Sequence, residues 1–190
     1  MLEIAVLGLL GESPMHGYEL RKRLATLLGA FRAFSYGSLY PTLRRLAEAG
    51  WISEEAPIGK LSGEPPAGPP RSRRGKRVYR LTAEGKEHLA DLLADVGPDA
   101  YGDEGFGARL AFFAQTRSDV RLQILEGRRR RVEEQREGMR SALGRTGERF
   151  DRYTRELHQH GLESVDREVR WLTELIEHER TVTSPQKEEP

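Results

Sequence analysis

The sequence lacks cysteine, long apolar runs and a large net charge of either sign. None of its 190 residues is cysteine, which excludes disulfides, thiolate nucleophiles and cysteine-bound metal ions. The longest apolar-rich stretch, residues 4–10, is far shorter than the roughly 20 residues that cross a bilayer, so no membrane segment is expected. The first residues hold no basic segment typical of a signal peptide. We therefore expect a cytoplasmic protein.

The motifs of common enzymes are also missing. Gly75-Lys76 lacks the preceding glycine and the following Ser or Thr of a phosphate-binding loop, and no zinc-protease, esterase or calcium-loop pattern occurs. His158 and His160 are two residues apart and so lie on different faces of a helix, which disfavours a shared metal ion. The sequence therefore predicts neither an enzyme nor a cofactor or metal site.

Apolar spacing predicts three helices in the first 50 residues. Residues 2–10 are almost uniformly apolar, which favours a buried helix, with a buried strand as the alternative. Leucines at spacings of three and four then predict a second, amphipathic helix. In a third, Leu39, Leu43 and Leu46 fall within about 60° of one another around the axis. Gly50 supplies its C-terminal stop.

Two short strands joined by a basic loop follow the third helix. Residues 51–53 and 76–81 are predicted as strands of a wing that spans 51–81, with a long Gly-, Pro- and Ser-rich loop over 59–75. The ten residues 71–80 contain six cations and no acid. A solvated surface is the ordinary interpretation of such a segment. Beside a groove-reading helix, however, it indicates contact with a polyanion.

This order of elements is that of a winged helix-turn-helix, in which a helix enters the major groove and a basic hairpin follows the neighbouring backbone. With its leucines turned inward, the third helix presents Pro41, Arg44, Arg45 and Glu48 on the opposite side, with Ser38 and Tyr40 near its start. Arginine suits guanine O6 and N7, and hydroxyls suit phosphates or base edges. The alternatives are a solvated face for the arginines and packing against the first helix for Tyr40.

The second half of the chain is predicted to be helical and to associate. Residues 96–107, rich in Gly, Pro and acids, are the predicted linker between a domain at 1–95 and a helical dimerisation domain at 108–180, which a flexible tail at 181–190 follows. Apolar stripes before and after Gly161 predict two helices joined there that pair with each other, with another subunit, or with both. The fold class is therefore mainly α with a small β-wing. The residues predicted for a dimer interface or an effector cavity are Phe112, Phe113, Phe150, Tyr153, Leu157, Trp171 and Leu172.

Four linked motifs in the first 95 residues resemble the PadR-like family of transcriptional regulators. They are MHGYEL at 15–20, GSLYPTLRRL at 37–46, EAGWI at 48–52 and RVYRLTAEG at 77–85, in the family's order and spacing. The second half is only loosely similar. The loop at 59–75 departs from the family pattern because it is longer and richer in proline.

The resemblance implies a homodimeric repressor that binds a palindromic operator in double-stranded DNA. Such repressors are often released by a small hydrophobic molecule in a cavity at the dimer interface. The resemblance also implies that Tyr18, Ser38, Tyr40, Pro41 and the wing cations face DNA. The alternative is a winged-helix module that binds a protein or a small molecule and does not read DNA. The predicted DNA-binding residues are Tyr18, Ser38, Tyr40, Pro41, Arg44, Arg45, Arg71, Arg73, Arg74, Lys76 and Arg77.

Overall fold

The computed structural model describes residues 1–29, 36–55, 77–146 and 150–183. The predicted class, mainly helical with a small sheet, is confirmed. The helices are α1 (Leu2–Glu12), α2 (Gly17–Leu28), α3 (Leu39–Glu48), α4 (Ala83–Ala94), α5 (Pro98–Tyr101), α6 (Phe106–Leu110), α7 (Ser118–Thr146) and α8 (Arg152–Thr183). The strands are β1 (Met15–His16), β2 (Ile52–Glu55) and β3 (Val78–Leu81), and short 3-10 helices occupy Tyr36–Ser38 and Phe113–Gln115.

Contacts divide the chain into two compact units. The N-terminal unit comprises Met1–Asp95 and Gly107–Gln115, and the C-terminal unit comprises Val96–Phe106 and the chain from Thr116 onward. Within the predicted linker, residues 96–106 contain α5 and group with the C-terminal unit. Residues 107–115 group with the N-terminal unit.

Helix α1 forms the centre of the N-terminal unit. Every residue from Ile4 to Leu10 is buried, and α2, α3, α4 and β3 all contact this helix. A helix that is covered on all sides needs no polar face, which explains the uninterrupted apolar sequence. The buried-helix interpretation of this segment is confirmed. The predicted leucine stripe of α3 is confirmed too, since Leu39, Leu43 and Leu46 are fully buried.

The sheet has three antiparallel strands in the order β1-β3-β2. Strands β2 and β3 correspond to the predicted wing strands, with Ile52 opposite Leu81. The loop predicted at 59–75 lies outside the described residues. Strand β1 was not predicted, because two residues are too few to show an alternating pattern. It pairs Met15 with Tyr79, so the wing is hydrogen-bonded to the segment that leads into α2.

A tight connection joins α3, the wing and α4. Gly50 adopts a positive φ of 77°, which turns the chain out of α3 as predicted, and the Trp51 amide donates to the Leu46 carbonyl at 3.0 Å. Thr82 caps α4, since its hydroxyl accepts from the Gly85 amide at 3.0 Å and donates to the Gly50 carbonyl at 2.7 Å. A side chain at position 85 would collide with the Trp51 carbonyl, so only glycine fits there.

The C-terminal unit is built mainly from α7 packed against α8. The two helices run antiparallel, because Arg121 near the start of α7 pairs with Glu179 near the end of α8. The predicted helix junction at Gly161 is wrong, since α8 continues through it. A single glycine costs a helix only about 1 kcal/mol, which the many flanking residues outweigh. Instead, α8 begins after Asp151, whose carboxylate accepts from the Tyr153 and Thr154 amides.

Candidate nucleic-acid interface

Helix α3 presents one polar side to solvent. At about 100° per residue, Arg44 lies roughly 140° from the buried leucine stripe, beside Pro41 and Glu48. All three are exposed. Within the part of the chain that the structure describes, the Arg44 guanidinium forms no salt bridge. Pro41 and Arg44 therefore lie on the exposed surface that the sequence predicted for them.

Arg45 occupies a different flank of α3. Its guanidinium donates to the Glu3 carboxylate at 2.6 Å, although its side chain remains 59% exposed. The acidic partner comes from the first turn of α1, and its side chain is only 18% exposed. Arg45, predicted to face DNA like Arg44, is thus engaged within the N-terminal unit.

Glu3 also binds a second partner, which makes it the centre of a small network. His88 of α4 lies 2.7 Å from the other carboxylate oxygen, and its ring stacks on Trp51 at a centroid distance of 3.5 Å. Burial by itself would raise the pKa of Glu3, but the hydrogen bonds from His88 and Arg45 outweigh it and hold this pKa below its ordinary value. The sequence did not predict this network, because Arg45 and His88 lie 42 and 85 residues from Glu3 along the chain.

Three further predicted contact residues lie near the starts of α2 and α3. Tyr18 and Tyr40 are both exposed, and the Tyr18 ring stacks on His16. The Tyr40 ring lies beside Gly17 of α2, and the residue is 47% exposed. Ser38 is exposed at the N-cap position of α3 and forms no capping bond through its side chain.

The wing cations in the described residues face acidic neighbours. Arg77, just before β3, pairs with Glu54 of β2. Arg80 of β3 pairs with Glu55 of β2 at 2.8 Å. The basic segment read from the sequence is therefore partly neutralised by the opposite strand. The predicted contacts Arg71, Arg73, Arg74 and Lys76 lie outside the described residues.

Two residues predicted for a dimer interface or effector cavity are interior instead. Phe112 is 2% exposed in the core of the N-terminal unit, where its ring covers Gly8 of α1. Leu172 is fully buried in the C-terminal unit. Neither side chain is available to a second molecule on this chain's surface. An apolar residue suits an interface and a core equally well, and both of these residues lie in the core of their own unit.

The remaining residues of that set are accessible to different extents. Phe113 and Phe150 are half-buried, and Phe150 stacks on His158. Trp171 lies edge-on to Phe106 and is partly exposed. Tyr153 and Leu157 are 83% and 70% exposed, one helical turn apart on α8. They form an uncovered apolar stripe, which we call the α8 stripe.

The four consecutive arginines at 128–131 are largely engaged by their own unit. Arg128 is buried, bonds Asp103 at 2.5 Å and Glu168 at 2.7 Å, and lies over the Phe106 ring. Arg131 also pairs with Asp103. Hydrogen bonding by Arg128 is the main cause that lowers the pKa of Asp103. This arginine segment therefore contributes ion pairs to the C-terminal unit.

The described ranges contain neither a helix that could span a membrane nor a metal-binding cluster. No helix there has both the length and the hydrophobicity to cross a bilayer. In those same ranges, no three histidine, aspartate or glutamate side chains are grouped to hold a metal ion.

Comparisons with known proteins point to one family. The family model described as "Transcriptional regulator PadR-like family" matches residues 6–91. A curated relative, the negative transcriptional regulator PadR of Bacillus subtilis (strain 168), is 30% identical over 93 residues. That match covers 49% of this chain and 45% of the relative, so the chain spans about half the length of the curated relative.

Solved structures of related proteins align over most of the chain. Bacillus subtilis PadR in complex with operator DNA gives a TM-score of 0.41 with 21% identity, covering 94% of this chain and 98% of that one. The smu.1604c protein of Streptococcus mutans UA159 gives a TM-score of 0.42 with 26% identity, covering 92% and 97%.

Proposed function

We propose that the chain, whose residues 6–91 match the model of the PadR-like family of transcriptional regulators, is a member of that family and a dimeric, sequence-specific DNA-binding repressor. One observation carries the proposal. Helix α3 buries its leucines and exposes Arg44 on its opposite side, within a winged helix-turn-helix order of elements. A helix with one such side fits the major groove, and an arginine is the commonest reader of guanine.

The proposed interface has three parts. Arg44 reads base edges from α3. Tyr18, Ser38 and Tyr40 contact phosphates from the starts of α2 and α3, where hydroxyls are exposed. The wing cations, from Arg71 to Arg77, follow the neighbouring backbone. Phosphate contacts of this kind make affinity fall steeply with salt.

We propose that the repressor is a homodimer joined through the C-terminal unit. The α8 stripe supports this, because Tyr153 and Leu157 leave large apolar side chains in water that a second copy would cover. A two-fold dimer binds two half-sites, which should lie about one helical turn apart in a palindromic operator.

A small hydrophobic effector and a cytoplasmic location complete the proposal. Phe150, Trp171 and the α8 stripe are the accessible residues of the C-terminal unit that would line an effector cavity between two copies. An effector there would act by favouring a spacing of the α3 helices that no longer matches the half-sites. We propose no catalytic activity, in keeping with a family of regulators.

Selection of bound fragments from the source genome, followed by titration of the selected duplex, tests this function. Wild type should select one palindromic sequence, and Arg44→Ala should bind it about 5- to 150-fold more weakly, corresponding to ~1–3 kcal/mol, while its base preference relaxes. Arg170→Ala is the matched control, because it removes an exposed arginine from α8 of the C-terminal unit.

Three outcomes would count against the proposal. Wild type that selects no sequence would favour a module that binds another protein. DNA affinity that does not change with salt concentration would contradict the proposed phosphate contacts. Equal losses for Arg44→Ala and Arg170→Ala would mean that α3 has no special part in binding.

A further inference from the structure

The two adjacent arginines of α3 differ in what surrounds them. Arg44 lies on the exposed side of the helix, whereas Arg45 lies on the flank that meets α1 and donates to Glu3 at 2.6 Å. A residue step of about 100° separates them, so one helix cannot present both to the same base step. Any role of Arg45 on DNA therefore competes with the carboxylate that already holds it.

Glu3 is a firm competitor because three elements fix its position. The residue belongs to α1, His88 of α4 lies 2.7 Å from one carboxylate oxygen, and Arg45 of α3 bonds the other. The His88 ring is itself held against Trp51. A largely buried carboxylate with two charge-assisted partners would lose part of its stabilisation if Arg45 left it, and a DNA phosphate would have to make up that loss.

We propose that Glu3 is a specificity-determining residue of the interface: it withholds Arg45 from DNA, so that Arg44 alone reads bases from α3. This inference rests on the proposed function. An arginine free to reach the backbone would add affinity for every sequence alike, because phosphates carry no sequence information. Withholding Arg45 therefore keeps binding to unrelated DNA weak and preserves the ratio between the operator and other sites.

Removing the charge of Glu3 tests the inference directly. Glu3→Gln should release Arg45, strengthen binding to an unrelated duplex by about 3- to 10-fold, and steepen the slope of log affinity against log salt by ~0.9, the value for one added phosphate contact. The Glu3→Gln, Arg45→Ala double variant should return to the wild-type slope. Arg45→Ala alone should change affinity for the selected operator by less than about twofold, in contrast to Arg44→Ala.

Glu126→Gln is the matched control for the loss of one negative charge. Glu126 pairs with Arg180 at 2.6 Å, the same distance as the Glu3 pair, but both residues belong to the C-terminal unit. This variant should leave the salt slope unchanged. Far-ultraviolet circular dichroism of each full-length variant verifies folding. If Glu3→Gln fails to fold, Arg45→Ala still tests the inference, because Glu3 keeps His88 as a partner there.

The inference is overturned if Arg45→Ala weakens operator binding as much as Arg44→Ala does, or if Glu3→Gln leaves the salt slope at its wild-type value. In both cases wild type still selects an operator, and the proposed function stands. Failure of the function looks different, since wild type then selects no sequence at all; the inference falls with it.

Discussion

The two units use apolar and charged residues in opposite ways. The N-terminal unit encloses a continuous leucine-rich core around α1, and the ion pair between Arg45 and Glu3 lies at its edge. The C-terminal unit joins α7 to α8 through several ion pairs, among them Arg121 with Glu179, and leaves the α8 stripe uncovered. The N-terminal unit buries its aliphatic core within a single chain, whereas the C-terminal unit leaves Leu157 exposed.

This difference follows from geometry. A central helix surrounded by three others and a sheet can bury every side, whereas two antiparallel helices can each bury only one stripe. Ion pairs between the two helices add little stability where they are exposed, although they favour one register. We therefore expect the stability of the N-terminal unit to depend on its own core, and that of the C-terminal unit to depend on association.

The largest expected effect tests whether Phe112 stabilises the core of the N-terminal unit or an interface between two copies. Phe112→Ala should lower the free energy of unfolding by about 3–5 kcal/mol, because the ring fills the space over Gly8 in the N-terminal core. Urea denaturation followed by circular dichroism measures this. The loss should be the same at all protein concentrations, and half-buried Phe113→Ala is the control with a smaller loss. If Phe112→Ala left stability unchanged but weakened self-association, Phe112 would belong to an interface between copies.

The second prediction addresses the exposed surface of the C-terminal unit. Leu157→Glu should raise the dimer dissociation constant about 10- to 100-fold, or ~1.4–2.8 kcal/mol, because an unpaired carboxylate would be buried where the two copies meet. Sedimentation velocity across a concentration series measures it. Gln159→Glu adds the same charge on another face of α8 and should leave association unchanged. Monomeric wild type at micromolar concentration would contradict the proposed dimer.

The third prediction compares two threonines with side-chain to backbone bonds. Thr82→Ala should lower the free energy of unfolding by about 1 kcal/mol, because the cap of α4 and the bond to Gly50 are both lost. Thr181→Ala removes a comparable bond to His178 near the exposed end of α8 and should change stability by less than about 0.5 kcal/mol. Equal losses of stability for the two variants would contradict a special stabilising role for the Thr82 cap.

The smallest expected effect is the response of the two units to acid. Both Glu3 and Asp103 have pKa values below their ordinary 4.5 and 3.8. Each carboxylate therefore stabilises its unit above that ordinary value, and the contribution is lost as the pH falls through the lowered pKa of the folded state. Glu3→Gln should flatten the decline of stability below about pH 4.5, as measured by urea unfolding at successive pH values. An unaltered decline would mean that Glu3 contributes nothing to it.

The sequence predicted those features that depend on local periodicity. The leucine stripe of α3 and the stop at Gly50 each follow from residues within one or two turns of each other. Features that depend on distant partners were missed: strand β1 is defined only by its pairing with β3, and the engagement of Arg45 only by Glu3. At Gly161, local propensity suggested a break that the packing of a long helix overrides.

The pairing of β1 with β3 has a consequence for the proposed complex with DNA. Met15 belongs to the same sheet as β2 and β3, and α2 starts two residues later, so backbone hydrogen bonds join the wing to the segment that leads into α2. In the proposed complex, a displacement of the DNA backbone against the wing would therefore act on the start of α2, where Tyr18 lies, as well.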